Sequence, residues 1–172
     1  MLAEALIYTA GAYVVDVVAR PAVIARQARR VADLRGKPLL NVGAGTPKSS
    51  LRVAIFGPTS WGDVNVDIAA TKQWDGKLRG GDVVYGDVHR LPFPPRTFGA
   101  AIASHVIEHV DNPRQAVREL LRVADEVFII WPLSAAPHTW IHPGHQWYRR
   151  QDGSIHRLWG RRGPPTKIKQ LR

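Results

Sequence analysis

The chain of 172 residues has no cysteine and a single methionine. Disulfides and thiolate metal sites are therefore excluded, and cysteine usage says nothing about the redox compartment. The first 19 residues contain no Lys or Arg, so no basic n-region leads into an apolar core and a small-residue cleavage site; a signal peptide is not expected. An uninterrupted apolar run is also missing. The nearest approach, LAEALIYTAGAYVVDVVA at 2–19, is close to the ~20 residues a bilayer span needs, but Glu4 and Asp16 interrupt it, and charge inside a span is costly. Three readings of this segment stay open: a helix covering the domain's open face, an in-plane membrane helix, or a span. No internal repeat is present.

What is present is ordinary for one globular domain: 45% hydrophobic and 22% charged residues, in a chain long enough for a proper core. The formal net charge of +10 is unevenly spread. Both flanks of a neutral middle, 38–148, are basic: 20–37 and 149–172 carry six and eight Lys or Arg against one acid each. Such flanks suit an anionic membrane surface or nucleic acid, or serve only as solvated surface. The composition divides the chain into an apolar and basic helical segment (1–37), a central domain (38–150) and a basic Gly/Pro-rich tail (151–172).

The middle is organised around 38–67. Leu39, Leu40 and Val42 read as a short buried strand that breaks at Gly43 and Gly45. Glycine permits a sharp turn whose backbone lies against a ligand, and the N–H groups of such a turn favour polar or anionic groups. A helical pattern follows at 48–56, with Thr46 or Ser49 as caps and Gly57-Pro58 as a stop. The next apolar run, 63–67, ends on Asp67, placed to accept hydrogen bonds from a ribose diol. Pro47 stands where a dinucleotide fingerprint has its third glycine.

Further strands are expected at 82–85, 99–104 and 126–131, with a short polar connection at 68–81. The best-marked helix starts after Asp111-Asn112 with Pro113 in its first position. Val117, Leu120, Leu121 and Ala124 are expected to form its buried stripe. Upstream, Pro21 is expected to break or kink the first helix, which resumes over 22–35 and stops at Gly36. Strands alternating with helices predict an α/β fold: a doubly wound, mostly parallel sheet of about five strands with an extra N-terminal helix. No strand is expected beyond Pro132, and the end of the tail is expected to be mobile.

NVGAG at 41–45, YGDVHRLPF at 85–93 and FGAAIASHVIEHVDNPRQAVRELLRVADEVFIIWP at 98–132 occur in this order. Together they resemble the Rossmann-like, class I S-adenosylmethionine-dependent methyltransferases of the type 11 kind. The resemblance covers 38–132 and implies a fold truncated at its C-terminal end, S-adenosylmethionine as cofactor, and methyl transfer to an acceptor that is a small molecule, a lipid or a nucleic acid. It implies that Gly43, Ala44 and Gly45 pass under the cofactor and that Asp67 binds the ribose hydroxyls. Asp87 and the Val88 backbone would contact the adenine, and Ser104 and His105 would face the donor methyl. Asn41 stands where the family usually has an acid that helps hold the methionine part. Its amide accepts a hydrogen bond but brings no charge to the ammonium group. Asn41 and Pro47 keep two other classes open, a non-catalytic cofactor-binding or structural subunit and, on the basic flanks, a nucleic-acid-binding module.

Two His-rich stretches bear on chemistry. HVIEH at 105–109 matches the H-x-x-E-H zinc pattern, but it lies between a buried strand and a helix cap, with no room for the long helix that pattern needs. HTWIHPGHQW at 138–147 contains His138, His142 and His145, which have the chemistry to ligate a metal. The expectation is instead a lid over the acceptor, with Trp walls and His tips on the rim, and no metal. If the acceptor is a hydroxyl, an imidazole accepts its proton: His105 first, His142 or His145 second. The chain is expected to be cytoplasmic, with membrane association through 2–30 as the variant reading.

Overall fold

The computed structural model describes residues 11, 13–45, 61–73, 75, 83–134, 136–158 and 167–168, with backbone only at 138 and 167–168. The expected helix at 48–56, its caps and stop, and Pro47 lie outside the described residues.

Five parallel strands form the main sheet: β1 (Leu39–Val42), β2 (Val64–Asp67), β3 (Val83–Tyr85), β4 (Ala100–Ser104) and β5 (Val127–Ile130). Their spatial order is β3-β2-β1-β4-β5. The direction of winding reverses at β1, which pairs with β2 on one side and β4 on the other. Such a switch point opens a crevice at the carboxyl edge of the strands. Because successive residues of a strand face opposite ways, β1 and β4 split their apolar side chains between two cores. Leu40, Ala101 and Ala103 join Phe98, Leu120 and Val123 on one face. Leu39, Ala100 and Ile102 meet Ala25, Ala28 and Ala32 on the other.

Those alanines belong to α1 (Arg20–Leu34). Pro21 does not break the helix. It sits in the first turn, where its missing N–H costs nothing, and a π-helical turn (Val15–Ala19) leads into it, the Arg20 N–H reaching back to the Val15 carbonyl. The helix ends as expected at Gly36 (φ 61°), where Lys37 N–H bonds to Ala32 O at 3.2 Å and Gly36 N–H to Asp33 O at 3.0 Å, a Schellman closure. Arg29 ties α1 to the sheet through Asp63 (2.7 Å), whose Oδ2 also takes the Leu39 N–H at 2.8 Å. Of the N-terminal segment 2–19, residues 2–10 and 12 lie outside the described residues; the described part joins the domain through Asp16, whose Oδ2 takes the Leu133 N–H at 2.8 Å. No described helix is long and apolar enough to cross a membrane. Val14, Val15, Val18 and Val23 are exposed on its outer side.

Helix α2 (Pro113–Val123) is capped by Asn112, whose side chain accepts the Gln115 N–H at 3.2 Å. Its buried stripe is Ala116, Val117, Leu120 and Val123, and Leu121 is half exposed. Val117, Leu120 and, just past the helix, Ala124 are buried as expected; Leu121 is displaced because Ala116, Leu120 and Val123, at i, i+4 and i+7, set the buried face.

The expectation of no strand beyond Pro132 is overturned. After the short helix α3 (Pro137–Ile141), strands β6 (Trp147–Arg149), β7 (Ile155–Arg157) and β8 (Lys167–Ile168) form a separate antiparallel sheet. The expected boundary at 150–151 falls inside the β6–β7 hairpin, whose turn contains Asp152-Gly153, with Gly153 at φ 80°. Trp147 and Ile155 are buried in the main core, so the first part of the tail is integral to the domain.

Candidate active site at the carboxyl edge of the sheet

Strands β1 to β4 each deliver a polar group to the same edge of the main sheet. At the end of β1 the chain turns through Gly43 (φ 73°) and Gly45 (φ 78°), left-handed values that favour glycine. The Gly43 and Ala44 N–H groups bond to Val66 O at 2.8 and 3.1 Å. A Cβ on Gly43 would run into the Val106 side chain. At the tip of β2, Asp67 is nearly buried; Oδ2 accepts the Gly45 N–H and Oδ1 the Ala69 N–H, both at 2.8 Å. A carboxylate has about four lone-pair sites, so after these two bonds each oxygen keeps acceptor capacity.

Beyond β3, Asp87 Oδ1 takes the backbone N–H of His89 at 2.9 Å and lies 2.8 Å from its Nδ1, closing a tight turn in which Val88 is buried. Asn41 lies one residue from Leu39's side of β1 and points to the same face as Leu39. Its Nδ2 donates to Asn65 Oδ1 at 3.0 Å, and Asn65 is bound on to both the N–H and the carbonyl of Gly62. The structure thus brings Gly43, Ala44, Gly45 and Asp67 together, sets Asp87 and Val88 at the next strand end, and places the Asn41 amide in a buried asparagine pair.

β4 ends at Ser104, and His105 follows with φ 55°, an uncommon conformation for a residue with a side chain. Its Nδ1 lies 3.3 Å from Oε1 of Glu108, and its Nε2 lies 3.2 Å from the Asp16 carbonyl. Burial alone would lower the His105 pKa; Glu108 and then Asp16 outweigh it and hold the imidazole above its ordinary value. Glu108 is fully buried in the single 3-10 turn Ile107–His109, which replaces the long helix an H-x-x-E-H zinc site requires. Asp16 is also fully buried: it pairs with Arg20 and takes the Leu133 N–H at 2.8 Å. The N-terminal helix therefore reaches the ends of β4 and β5.

The segment 137–149 lies against the turn after β4. Gln146 N–H bonds to Glu108 O at 2.7 Å, Gln146 Nε2 to His109 O at 2.8 Å, and Trp147 Nε1 to Val110 O at 2.8 Å. His145 is buried with Nδ1 2.9 Å from Thr139 O, and burial pushes its pKa down to about 4. His142 and Trp140 are exposed. Glu108, His109 and Asp16 escaped sequence reasoning as site residues. The signal for the first two lay within HVIEH itself, and Asp16 had counted only as a charge that opposes a membrane span.

A family model described as a methyltransferase domain matches residues 40–126, half of the chain, from Leu40 in β1 through β2, β3 and β4 to the residue before β5. The chain belongs to the methyltransferase domain family. Its class I, Rossmann-like sheet carries the glycine turn and acid of that family at the switch point. Among curated relatives, the O-methyltransferase rstn1 of Aspergillus nomiae is 28% identical over 100 residues, 55% of this chain and 44% of that protein. A demethylmenaquinone methyltransferase of Paenarthrobacter aurescens is 33% identical over 95 residues, 51% of this chain and 34% of that one. The chain spans less than half the length of the relatives it matches. Among solved structures, the YcgJ protein of Bacillus subtilis matches 60% of this chain and 45% of its own, at 22% identity and a TM-score of 0.40. A SAM-dependent methyltransferase of Thermotoga maritima, described as a possible histamine N-methyltransferase, matches 66% of this chain and 54% of its own, at 20% identity and a TM-score of 0.32.

Proposed function

We propose that this domain binds S-adenosylmethionine at the end of β1 and β2 and transfers its methyl group to an acceptor held beneath the segment 137–149. The observation that carries the reading is the glycine turn fastened to Asp67: Gly45 N–H on Oδ2 at 2.8 Å, with both glycines at positive φ. The residues present fit the cofactor. The turn keeps its left-handed path against Val106 because position 43 is glycine, and the remaining acceptor sites of Asp67 suit two adjacent hydroxyls. When bound, the sulfonium supplies an electrophilic methyl, and the hard chemistry is its own.

The chain's part is positioning and exclusion of water. Gly43, Ala44 and Gly45 shape the turn, Asp67 orients the ribose, and Asp87 with Val88 borders the base. Ser104 and His105 stand at the end of the central strand, and Trp140, His142 and His145 close the far side. Glu108 fixes the His105 ring from the Nδ1 side. Nε2 is then the atom that exchanges a proton with a hydroxyl acceptor, which must displace the Asp16 carbonyl to reach it.

The reading is tested by incubating the protein with methyl-labelled S-adenosylmethionine and pools of RNA, lipids and small phenols and amines. Label in one pool, lost in Asp67→Ala, supports it. A protein that binds S-adenosylhomocysteine but labels no pool supports the non-catalytic class instead, and label in RNA would give the basic flanks their partner.

A further inference from the structure

The loop after β4 and the segment after α3 bring three imidazoles together that lie far apart in sequence: His109, His142 and His145. One ligand nitrogen from each lies within 4.8 Å of the others, and the ring centroids are 4.6 to 5.3 Å apart. We propose that these three side chains bind a zinc-type divalent ion, which clasps the segment 137–149 onto the turn that follows β4.

Three features of the surroundings support a ligand set. First, the ring orientations are already fixed from behind. His109 Nδ1 lies 3.0 Å from the Gly144 carbonyl and His145 Nδ1 lies 2.9 Å from the Thr139 carbonyl. A carbonyl on one nitrogen holds the proton there and leaves the lone pair of Nε2 for a metal, the usual arrangement behind metal-bound histidine. His142 offers Nδ1, whose lone pair faces the Gly144 N–H at 3.1 Å; a metal would replace that exposed hydrogen bond.

Second, a negative charge stands beside the cluster. Glu108 is fully buried, with Oε1 3.3 Å from His105 Nδ1 and 3.9 Å from His109 Nε2. A buried carboxylate favours positive charge beside it, and a divalent ion on His109 adds to what His105 supplies. Third, Gly144 leaves the rings room to converge: a Cβ there would sit 3.0 Å from His109 Nδ1 and 3.3 Å from His142 Nδ1.

The donor set selects the ion. Three neutral imidazoles without thiolate suit zinc and its neighbours rather than calcium or magnesium. Zinc–nitrogen bonds of about 2.0–2.1 Å place tetrahedral ligand atoms about 3.4 Å apart, so the cluster must contract by about an ångström. His109 ends the 3-10 turn and His142 lies on a loop, and both are exposed, which allows it. The fourth position is left to water.

The test uses the whole chain without a polyhistidine tag, and zinc chloride and cobalt chloride as probes. Expected are one zinc per chain after dialysis, a visible tetrahedral spectrum with cobalt, and a higher melting temperature with zinc. His109→Ala and His142→Ala, both at exposed positions, should each weaken zinc at least about 100-fold, since loss of a ligand costs no less than loss of its outer partner, while far-ultraviolet circular dichroism stays unchanged. His138→Ala should leave zinc binding as it was. Absence of stoichiometric zinc in the folded wild type, or unchanged affinity in both His109→Ala and His142→Ala, overturns the proposal, as does loss of zinc in His138→Ala alone.

Discussion

The backbone N–H of Gly45 donates to Oδ2 of Asp67 at 2.8 Å, joining the ends of β1 and β2. The glycine turn and the acid are thus one unit. The carboxylate that would hold a ribose also holds the turn that would pass beneath it, so changes at either should be felt in both binding and stability.

Gly43→Ala tests the turn. Its φ of 73° is left-handed and the new methyl would meet Val106. A loss of about 1–3 kcal/mol in folding free energy is expected, read by denaturant titration. Adding Val106→Ala should return the steric part and leave the conformational part. Equal stability of Gly43→Ala and wild type would show that the turn tolerates a side chain.

Trp140→Ala tests the lid. Its ring is exposed, packs 5.0 Å from Tyr148, and donates Nε1–H to Ser134 O at 2.9 Å. It touches nothing in the glycine turn. S-adenosylhomocysteine affinity should stay within about threefold and turnover should fall at least about tenfold, or ~1.4 kcal/mol of transition-state stabilisation. Unchanged turnover would remove the segment from the reaction.

Asp16→Ala tests the helix that covers the edge. The substitution leaves Arg20 and the Leu133 N–H without a fully buried partner. Breaking a buried pair in this way costs about 3–5 kcal/mol, measured by chemical denaturation. A loss under about 1 kcal/mol, the range of an exposed pair, would mean that the helix is held by its alanines alone.

Acid should loosen the same helix by a second route. Burial would raise the Asp63 pKa, but Arg29 and the Leu39 N–H outweigh it and hold the carboxyl below its ordinary value. A lowered folded pKa gives stability that is present above the unfolded value of about 4 and lost as pH falls through the folded one. Wild type should therefore lose its advantage over Asp63→Asn as pH drops from 5 to about 2. A constant gap across that range would contradict the pairing.

Much of the sheet is legible because β4 and β5 are nearly continuous apolar runs, β1 and β2 are short Val- and Leu-rich stretches bounded by Gly, Pro or acids, and α2 begins with Asn112-Pro113. The three-residue strands β6 and β7 are not, since three residues show no period; the turn residues Asp152-Gly153 are the available clue. Leu121 looked buried because leucine was weighed over valine, whereas the packing phase chose Val123. In the site, residues near one another in sequence were found together: Gly43, Ala44, Gly45 and, through the strand-to-strand spacing, Asp67. Asp16 beside His105, and His109 beside His142 and His145, depend on packing across more than 30 positions. No local pattern records that.

The most direct measurement is calorimetric titration of the folded protein with S-adenosylhomocysteine, repeated on Asp67→Ala. Wild type should bind one equivalent, and the variant should bind more weakly by about 1.5–3 kcal/mol, the scale of hydrogen bonds to a charged group. A folded wild type that gives no heat at millimolar ligand, or a variant that binds as tightly as wild type, would contradict cofactor binding at the Gly45–Asp67 junction.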